Sequence, residues 1–449
     1  MVERETWATR VGFLVAAIGS AVGLGNLWQF PFKTAANGGA AFVFFYVVAV
    51  VVIGFPAMLG EFVLGRRTHR NAVDAFAELG HREWRVVGAL AVGTGFWILS
   101  YYNVVGGWVL RYIVGSATGA YFEAPEAYFG AVASGPEAVL AQAAFLAVVV
   151  GIVALGVENG IERATKVMVP AIVVLMLALA AWAATLPGAA EAYAYFLSPD
   201  LDAIVANAGD VIPFAVGQAF FTLSLGMAIM ITYSSYLGSD DNLPFDGGVV
   251  VVTNTLVGIL AGLVVFPILF ANDIAPSTSG ASALFVAIAS GFAELPFGRV
   301  LGVVFFGVVL IAALSSAISL LEVTVAYFND NTDVPRRVLA GGAGLGLFVL
   351  GLPSAWSLAW LDWFDHFAYQ LFLPVSVLAV VVFVGWILAD DAVAELRRGT
   401  GGLPAFGPVW LWTLRVVVVI GVLVTLGFGI EAQFLGPNPD AIPPLLAGG

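Results

Sequence analysis

The sequence predicts an all-α polytopic membrane protein of about eleven transmembrane helices, and three observations carry that reading. Of its 449 residues, 61% are hydrophobic and 10% are charged, where a soluble chain of this size carries about a quarter charged residues. Apolar runs of about 18 residues or more, the length a helix needs to cross a bilayer, recur from end to end. Two of those runs are interrupted by Gly, Ser, Asn or Gln at what would be mid-membrane depth.

The spans fall at approximately 11–33, 41–65, 86–116, 139–156, 166–186, 211–236, 248–271, 299–328, 337–352, 366–389 and 410–434. Loops are short except near 117–138, 187–210 and 272–298, and the last holds an amphipathic stretch, Ser282 to Ala293, that suits a surface or re-entrant helix over the outer face. No soluble domain or low-complexity linker breaks the pattern, so 1–449 reads as a single transporter domain. Met1 to Arg10 lacks the design of a signal peptide, because the apolar run behind it is too long and has no small-residue cleavage site.

The first span contains Gly19-Ser-Ala-Val-Gly-Leu-Gly-Asn-Leu-Trp-Gln-Phe-Pro31. Each Gly weakens a helix by about 1 kcal/mol relative to Ala, and an intramembrane Asn needs a partner. Gly19-xxx-Gly23 would also serve as a simple helix-packing surface. The sixth span repeats the interruption with Gly217-Gln218-Ala219-Phe220-Phe221-Thr222-Leu223-Ser224-Leu225-Gly226. Five spans separate the two breaks, so the direction across the membrane is inverted. Broken segments at corresponding positions of two halves point to an inverted-repeat transporter with a site near the midplane. The halves would be 11–210 (helices 1–5) and 211–389 (helices 6–10), with 410–434 an extra eleventh helix. In the eighth span, Ser315 and Ser316 either bond back to the preceding turn or offer oxygens to a small hard cation. Asn254 adds an amide in the seventh span, and Glu61 stands near Arg66 and Arg67 as a candidate ion-pair partner.

Orientation follows the basic residues. A cytoplasmic N-terminus leaves only Lys33, Arg111 and Arg299 of 17 Lys and Arg on the outer side, and an odd number of spans puts the C-terminus outside. The acidic loop 237–247, with Asp240, Asp241 and Asp246, dissents. A net charge of −13 suits a high-salt habitat, where screening relieves mutual repulsion. With no cysteine there is no disulfide or thiolate chemistry, and His69, His81 and His366 show no metal-ligand spacing. No nucleophile–base set is present, so an enzyme is not expected.

Trp7-Ala-Thr-Arg10, then Gly23-Leu-Gly-Asn-Leu-Trp-Gln-Phe-Pro31 and Asn37-Gly-Gly39, with Phe220-Phe-Thr-Leu-Ser-Leu-Gly226, closely resemble the signatures of the neurotransmitter:sodium symporter family (also called the sodium- and neurotransmitter-dependent transporters). The resemblance covers nearly the whole chain and is closest to the prokaryotic amino-acid transporters of the family. It implies a LeuT-like fold of two inverted five-helix repeats with helices 1 and 6 broken, in the cell membrane. The function it implies is Na⁺-coupled symport of a small or hydrophobic amino acid by alternating access.

Carried over residue by residue, the resemblance implies two Na⁺ sites. The first is Ala21, Asn26, Thr222 and Asn254; the second is Gly19, Val22, Ala312, Ser315 and Ser316. Amine transporters of the family carry Asp where this chain has Gly23, so the substrate would bring its own carboxylate. That carboxylate would meet the backbone at Leu24 and Gly25 and the Tyr102 hydroxyl. The ammonium would meet Ala21, Phe221, Thr222 and Ser224, and the side chain would lie among Val22, Ile98, Phe221, Met227, Ser316, Ala317 and Leu320. Phe221 and Tyr102 would form the outer lid. The outer ionic gate keeps its acid, Asp365, but Gln29 stands at the Arg position, which leaves Asp365 to Gln29, to Lys33 or to water. The inner gate would pair Arg4 with Asp330, with Trp7 packed beneath. Tyr46, Gln218 and Asn254 match the surroundings of the family's chloride site, while Gly258 supplies neither hydroxyl nor acid, so chloride dependence stays open. The competing functions are Na⁺-coupled amine transport, a proton-coupled carrier or a sensor on the same fold. Val22, Ser315 and Ser316 offer no titratable group for proton coupling, and the sequence shows no continuous polar pore for a channel. The identity of the amino acid, the ion stoichiometry and the oligomeric state are not encoded in any of these motifs.

Overall fold

The computed structural model describes residues 6–275, 281–400 and 406–431, and among these the ordered elements are all helices. The first span divides as expected into α1 (Arg10–Ala21) and α2 (Gly25–Ala36), bent by 42° at the break. Then come α3 (Ala40–Thr68), α4 (Arg85–Thr118), α5 (Pro136–Val153) and α6 (Val157–Ala183). The sixth span divides into α7 (Leu201–Thr222) and α8 (Ile229–Ser234). The chain continues with α9 (Leu243–Ala271), α10 (Ala281–Glu294), α11 (Gly298–Asn331), α12 (Arg336–Trp356), α13 (Leu358–Leu388), α14 (Asp390–Leu396) and α15 (Phe406–Ile430).

Eight of these helices, and the bent pair α1–α2 as a ninth span, have the length and composition to cross a membrane among the described residues. The third and sixth spans read from sequence are helical but more polar. Gly93, Thr94, Ser100, Tyr101, Tyr102 and Asn103 dilute α4, and Asp202, Asn207 and Asp210 lie in the first half of α7. α7 begins at Leu201, ten residues before the span read from sequence, so the division at 210/211 falls inside a helix. The long loops are not structureless: they hold the short helices Pro125–Ala133 and Ala189–Leu197.

α4 and α11, 34 residues each, pack along one another and form a frame with α5, α6 and α12. α1 lies against α6, α9 and α11, while α8 packs on the second half of α3. α10 occupies the segment expected to hold an amphipathic helix, and buries Phe285, Ile288 and Phe292. Phe285 meets the rings of Trp28 (6.4 Å), Trp108 (5.7 Å) and Phe129 (6.2 Å), which ties α10 to α2 and α4. The two breaks lie side by side at the centre of this packing.

Candidate functional site

At the first break Val22 leaves the helical region (φ −82°, ψ 92°), and Asn26 closes the turn by accepting from Gly23 N–H at 3.2 Å. At the second break Ser224, Gly226 and Ala228 have φ of 55°, 73° and 61°. Only glycine adopts this region at little steric cost, so the two non-glycine residues are held there by their surroundings. The hydroxyl of Ser224 donates to Ser20 O at 3.0 Å, and the carboxylate of Glu61 accepts from Gly226 N–H at 2.7 Å. Glu61 is therefore not the ion-pair partner of Arg66 or Arg67: Arg66 pairs with Glu395 at 2.7 Å and Arg67 with Asp391 at 3.0 Å. A buried carboxylate instead satisfies backbone that the break strips of its helical partner.

Between the breaks lies a cavity of about 20 Å³ lined by Ala21, Gly23, Leu24, Gly25, Ile98, Tyr102, Phe221, Ser224, Met227, Ser316 and Leu320, all expected from sequence, with Ser20 and Ile229 in addition. Val22, Thr222 and Ala317 are buried beside it without lining it. Leu24 N–H donates to the Tyr102 hydroxyl at 3.2 Å, and Ser316 Oγ donates to Ser20 O at 2.8 Å. A Cβ on Gly23 would stand 2.2 Å from Ser316 Oγ and 3.1 Å from Tyr102 Oη, so this position has no room for any side chain as the groups stand.

The terminal amide of Asn254 reaches a ring of oxygens. One of its two terminal atoms stands 3.0 Å from Ala21 O, 3.2 Å from Thr222 O, 3.2 Å from Thr222 Oγ1 and 2.9 Å from Asn26 Nδ2. With oxygen there, two carbonyls would face a third acceptor with no proton between them; with NH₂ there, they have a donor. A cation at this point would reverse the preference and turn the amide oxygen inward, so this donor set fits a small hard ion. In the second set, Ser315 Oγ lies 2.9 Å from Ala312 O and 3.4 Å from Val22 O. Gly19 is beside it, with Ser315 Cβ 3.4 Å from where a glycine Cβ would be. Ser316 Oγ, bonded to Ser20 O, faces the central cavity. Gln218 Nε2 donates to Gly25 O at 2.8 Å, Tyr46 is buried, and a Cβ on Gly258 would lie 3.6 Å from Asn26 Nδ2.

Above Phe221 a vestibule of about 560 Å³ opens, lined by Gln29, Lys33, Asp365, His366 and Tyr369 among others. Asp365 accepts from Tyr101 at 2.9 Å and from Gln29 Nε2 at 3.5 Å, while Lys33 Nζ stands 3.3 Å from the centroid of the Tyr369 ring. At the opposite end, Arg4 lies outside the described residues. Asp330 accepts from Asn71 at 3.0 Å, and Trp7 donates to Tyr233 O at 2.9 Å with its ring edge-on to Tyr233 and Tyr236.

A model of the sodium:neurotransmitter symporter family matches residues 4–124 and 134–435. The chain belongs to that family. The uncharacterized sodium-dependent transporter YhdH of Bacillus subtilis (strain 168) is 36% identical over 93% of this chain and 96% of its own. The human sodium- and chloride-dependent neutral and basic amino acid transporter B(0+) is 25% identical over 98% of this chain and 82% of its own. Among solved structures, MhsT in complex with L-phenylalanine superposes with a TM-score of 0.87 at 38% identity, over 95% of this chain and the whole of that one. The protein is thus a sodium-coupled secondary transporter with a LeuT-like fold, a multi-pass membrane protein and not an enzyme.

At the Arg-rich end the structure holds several buried or half-buried ion pairs and hydrogen bonds that the motifs did not single out. Glu162 at the start of α6 accepts from Ala8 N–H (2.9 Å), Thr9 Oγ1 (3.0 Å) and Lys166 (2.6 Å), clasping the chain where α1 begins. Glu322, fully buried in α11, accepts from Tyr236 at 3.0 Å and pairs with Arg336. Arg10 pairs with Asp246 at 2.6 Å and with Asp241 at 3.6 Å, so two acids of the 237–247 stretch balance a basic residue. The only sequence signal for these groups is a carboxylate inside or beside an apolar run, where an unpaired charge is too costly to keep.

Proposed function

We propose that this protein imports a small or hydrophobic α-amino acid together with Na⁺, by alternating access across the cell membrane, with its N-terminus cytoplasmic. The observation that carries the substrate class is Gly23: around it stand the Leu24 N–H and the Tyr102 hydroxyl, bonded to one another, and a carbonyl cluster, but no fixed carboxylate. An amine would leave a cation beside the oxygens of Ala21 and Thr222 uncompensated, whereas an amino acid brings its own anion. The L-phenylalanine complex of MhsT and the amino-acid range of B(0+) support the same class.

In this scheme the first Na⁺ binds Ala21, Asn26, Thr222 and Asn254 next to the substrate carboxylate. The second binds Gly19, Val22, Ala312 and Ser315, with Ser316 turning from Ser20 to join it. The substrate carboxylate takes Tyr102 and the backbone at Leu24 and Gly25; Phe221 and Tyr102 close over it. Lys33, one helical turn beyond Gln29, carries the positive charge of the outer gate towards Asp365. Trp7, with Arg4 and Asp330, holds the inner end shut until the second ion leaves. The ions drive the change only if they bind the two conformations unequally.

Uptake of a labelled mixture of apolar amino acids into proteoliposomes, under inward Na⁺, K⁺ or H⁺ gradients, tests this reading. Accumulation driven by Na⁺ alone supports it. Accumulation driven by H⁺, or transport of amines in place of amino acids, overturns it.

A further inference from the structure

α14 with Arg397 and the first turns of α15 enclose a cleft of about 380 Å³ far from the central site. Arg397, Arg415, Asp390, Trp412 and Leu411 line it. It opens at the Arg-rich end, where Asp391 next to its rim pairs with Arg67. Two guanidinium groups and one carboxylate leave the cleft with a net positive charge.

Arg415 is the unusual member. It lies nine residues into α15, about 13 Å from the start of the helix at 1.5 Å per residue. An arginine at that depth in a membrane helix is costly and marks a function by default. Helical side chains lean towards the N-terminus, so this one reaches back into the cleft rather than towards the bilayer centre. Its Nε donates to Gly385 O at 2.7 Å, one of the last-turn carbonyls that the end of α13 leaves without an intrahelical donor. Among the described residues its two NH₂ groups donate to no protein acceptor. Its guanidinium carbon stands 5.4 Å from the centre of the Trp412 ring. Arg397 lies against Gly407, where a Cβ would be 3.2 Å from its Nε. The cleft's surroundings are apolar and face outward: Trp412, Val416, Ile420 and Leu423, three or four residues apart on α15, are all exposed. That spacing makes one continuous stripe along the helix, leading from the cleft towards the bilayer interior.

We propose that this cleft binds the phosphate of an anionic phospholipid headgroup, with an acyl chain laid along the exposed stripe of α15. The volume lies within the roughly 300–1,000 Å³ of small-molecule sites, and basic pockets between membrane helices at the interface suit such headgroups. Trp412, exposed and lining the cleft at the start of the stripe, supplies the amphipathic indole that the boundary between headgroup and chain favours. A free phosphate ion would use the same two arginines but make no use of the stripe.

The test is lipid retention by the full-length purified transporter, read by native mass spectrometry as bound phosphatidylglycerol against phosphatidylcholine. Inorganic phosphate and a soluble glycerophosphate serve as competitors. The wild type is expected to retain phosphatidylglycerol preferentially. Arg397→Gln with Arg415→Gln should lower that preference roughly 25-fold, about fivefold for each guanidinium. The single variant Arg397→Gln removes one exposed guanidinium and should lose about fivefold by itself, with its thermal unfolding compared to the wild type as the check on folding. Equal retention of the two lipids by the wild type, or unchanged preference in both variants, overturns the proposal. So does displacement of the lipid by inorganic phosphate at millimolar concentration, which would make the cleft a site for the free ion.

Discussion

Replacing Gly23 by Ala tests the central site with the smallest perturbation available. The added methyl would stand 2.2 Å from Ser316 Oγ, 3.0 Å from Ser316 Cβ and 3.1 Å from Tyr102 Oη. To reach ordinary contact, Ser316 must give up its 2.8 Å bond to Ser20 O, and Tyr102 must move a few tenths of an ångström away from Leu24 N–H. The lost hydrogen bond costs about 1 kcal/mol, and forcing a methylene-sized group into packed surroundings costs about 1–3 kcal/mol more. The substrate needs the same space, because the cavity holds only about 20 Å³ before anything moves aside. A total of about 2–4 kcal/mol corresponds to a loss of roughly 30- to 900-fold in apparent affinity. Na⁺-dependent binding of the labelled amino acid, by scintillation proximity on purified protein, measures it. Gly93→Ala is the control, since a Cβ there meets nothing within 4 Å. If Gly23→Ala binds substrate as Gly93→Ala does, the substrate is not seated against Gly23 and the site proposed between the breaks is wrong.

Three further perturbations bear on other parts of the molecule. Ser315→Ala with Ser316→Ala should abolish Na⁺ stimulation of uptake while the protein stays folded in detergent; wild-type-like Na⁺ dependence would remove the second ion site. Glu322→Gln removes the fully buried charge from its pair with the partly buried Arg336, and thermal unfolding should show a destabilisation of about 3 kcal/mol. Arg66→Met and Glu395→Leu should each be strongly destabilising alone but much less so together, because the double variant leaves no charge stranded; additive losses would mean the 2.7 Å pair acts through other partners.

The two breaks were legible because Gly, Ser and Asn in a membrane-length apolar run have no cheap explanation other than a protected cavity. The start of α7 was not, because Asp202, Asn207 and Asp210 read as loop chemistry while their backbone is helical. The residues near the breaks could be gathered from short motifs, since Gly19 to Pro31 and Gly217 to Gly226 each carry their own signal. Glu61, Glu162 and Glu322 could not. Apart from Lys166 beside Glu162 and Arg336 beyond Glu322, they meet partners 86 to 165 residues away, at Gly226, Ala8 and Tyr236, and no local pattern announces such contacts. A lone carboxylate in an apolar run says that a partner exists and leaves its address to the fold.

Two kinds of fastening hold the molecule together, and they answer to different conditions. Around α10, Phe285 is gripped by Trp28, Trp108 and Phe129, contacts made of ring surface. At the Arg-rich end, Arg10 and Lys166, both about two-fifths exposed, hold their carboxylates through charge. Dissolved salt weakens the second kind and slightly tightens the first. Ionic strength is therefore a lever that loosens the ion pairs of the Arg-rich end while the ring contacts around α10 hold or tighten.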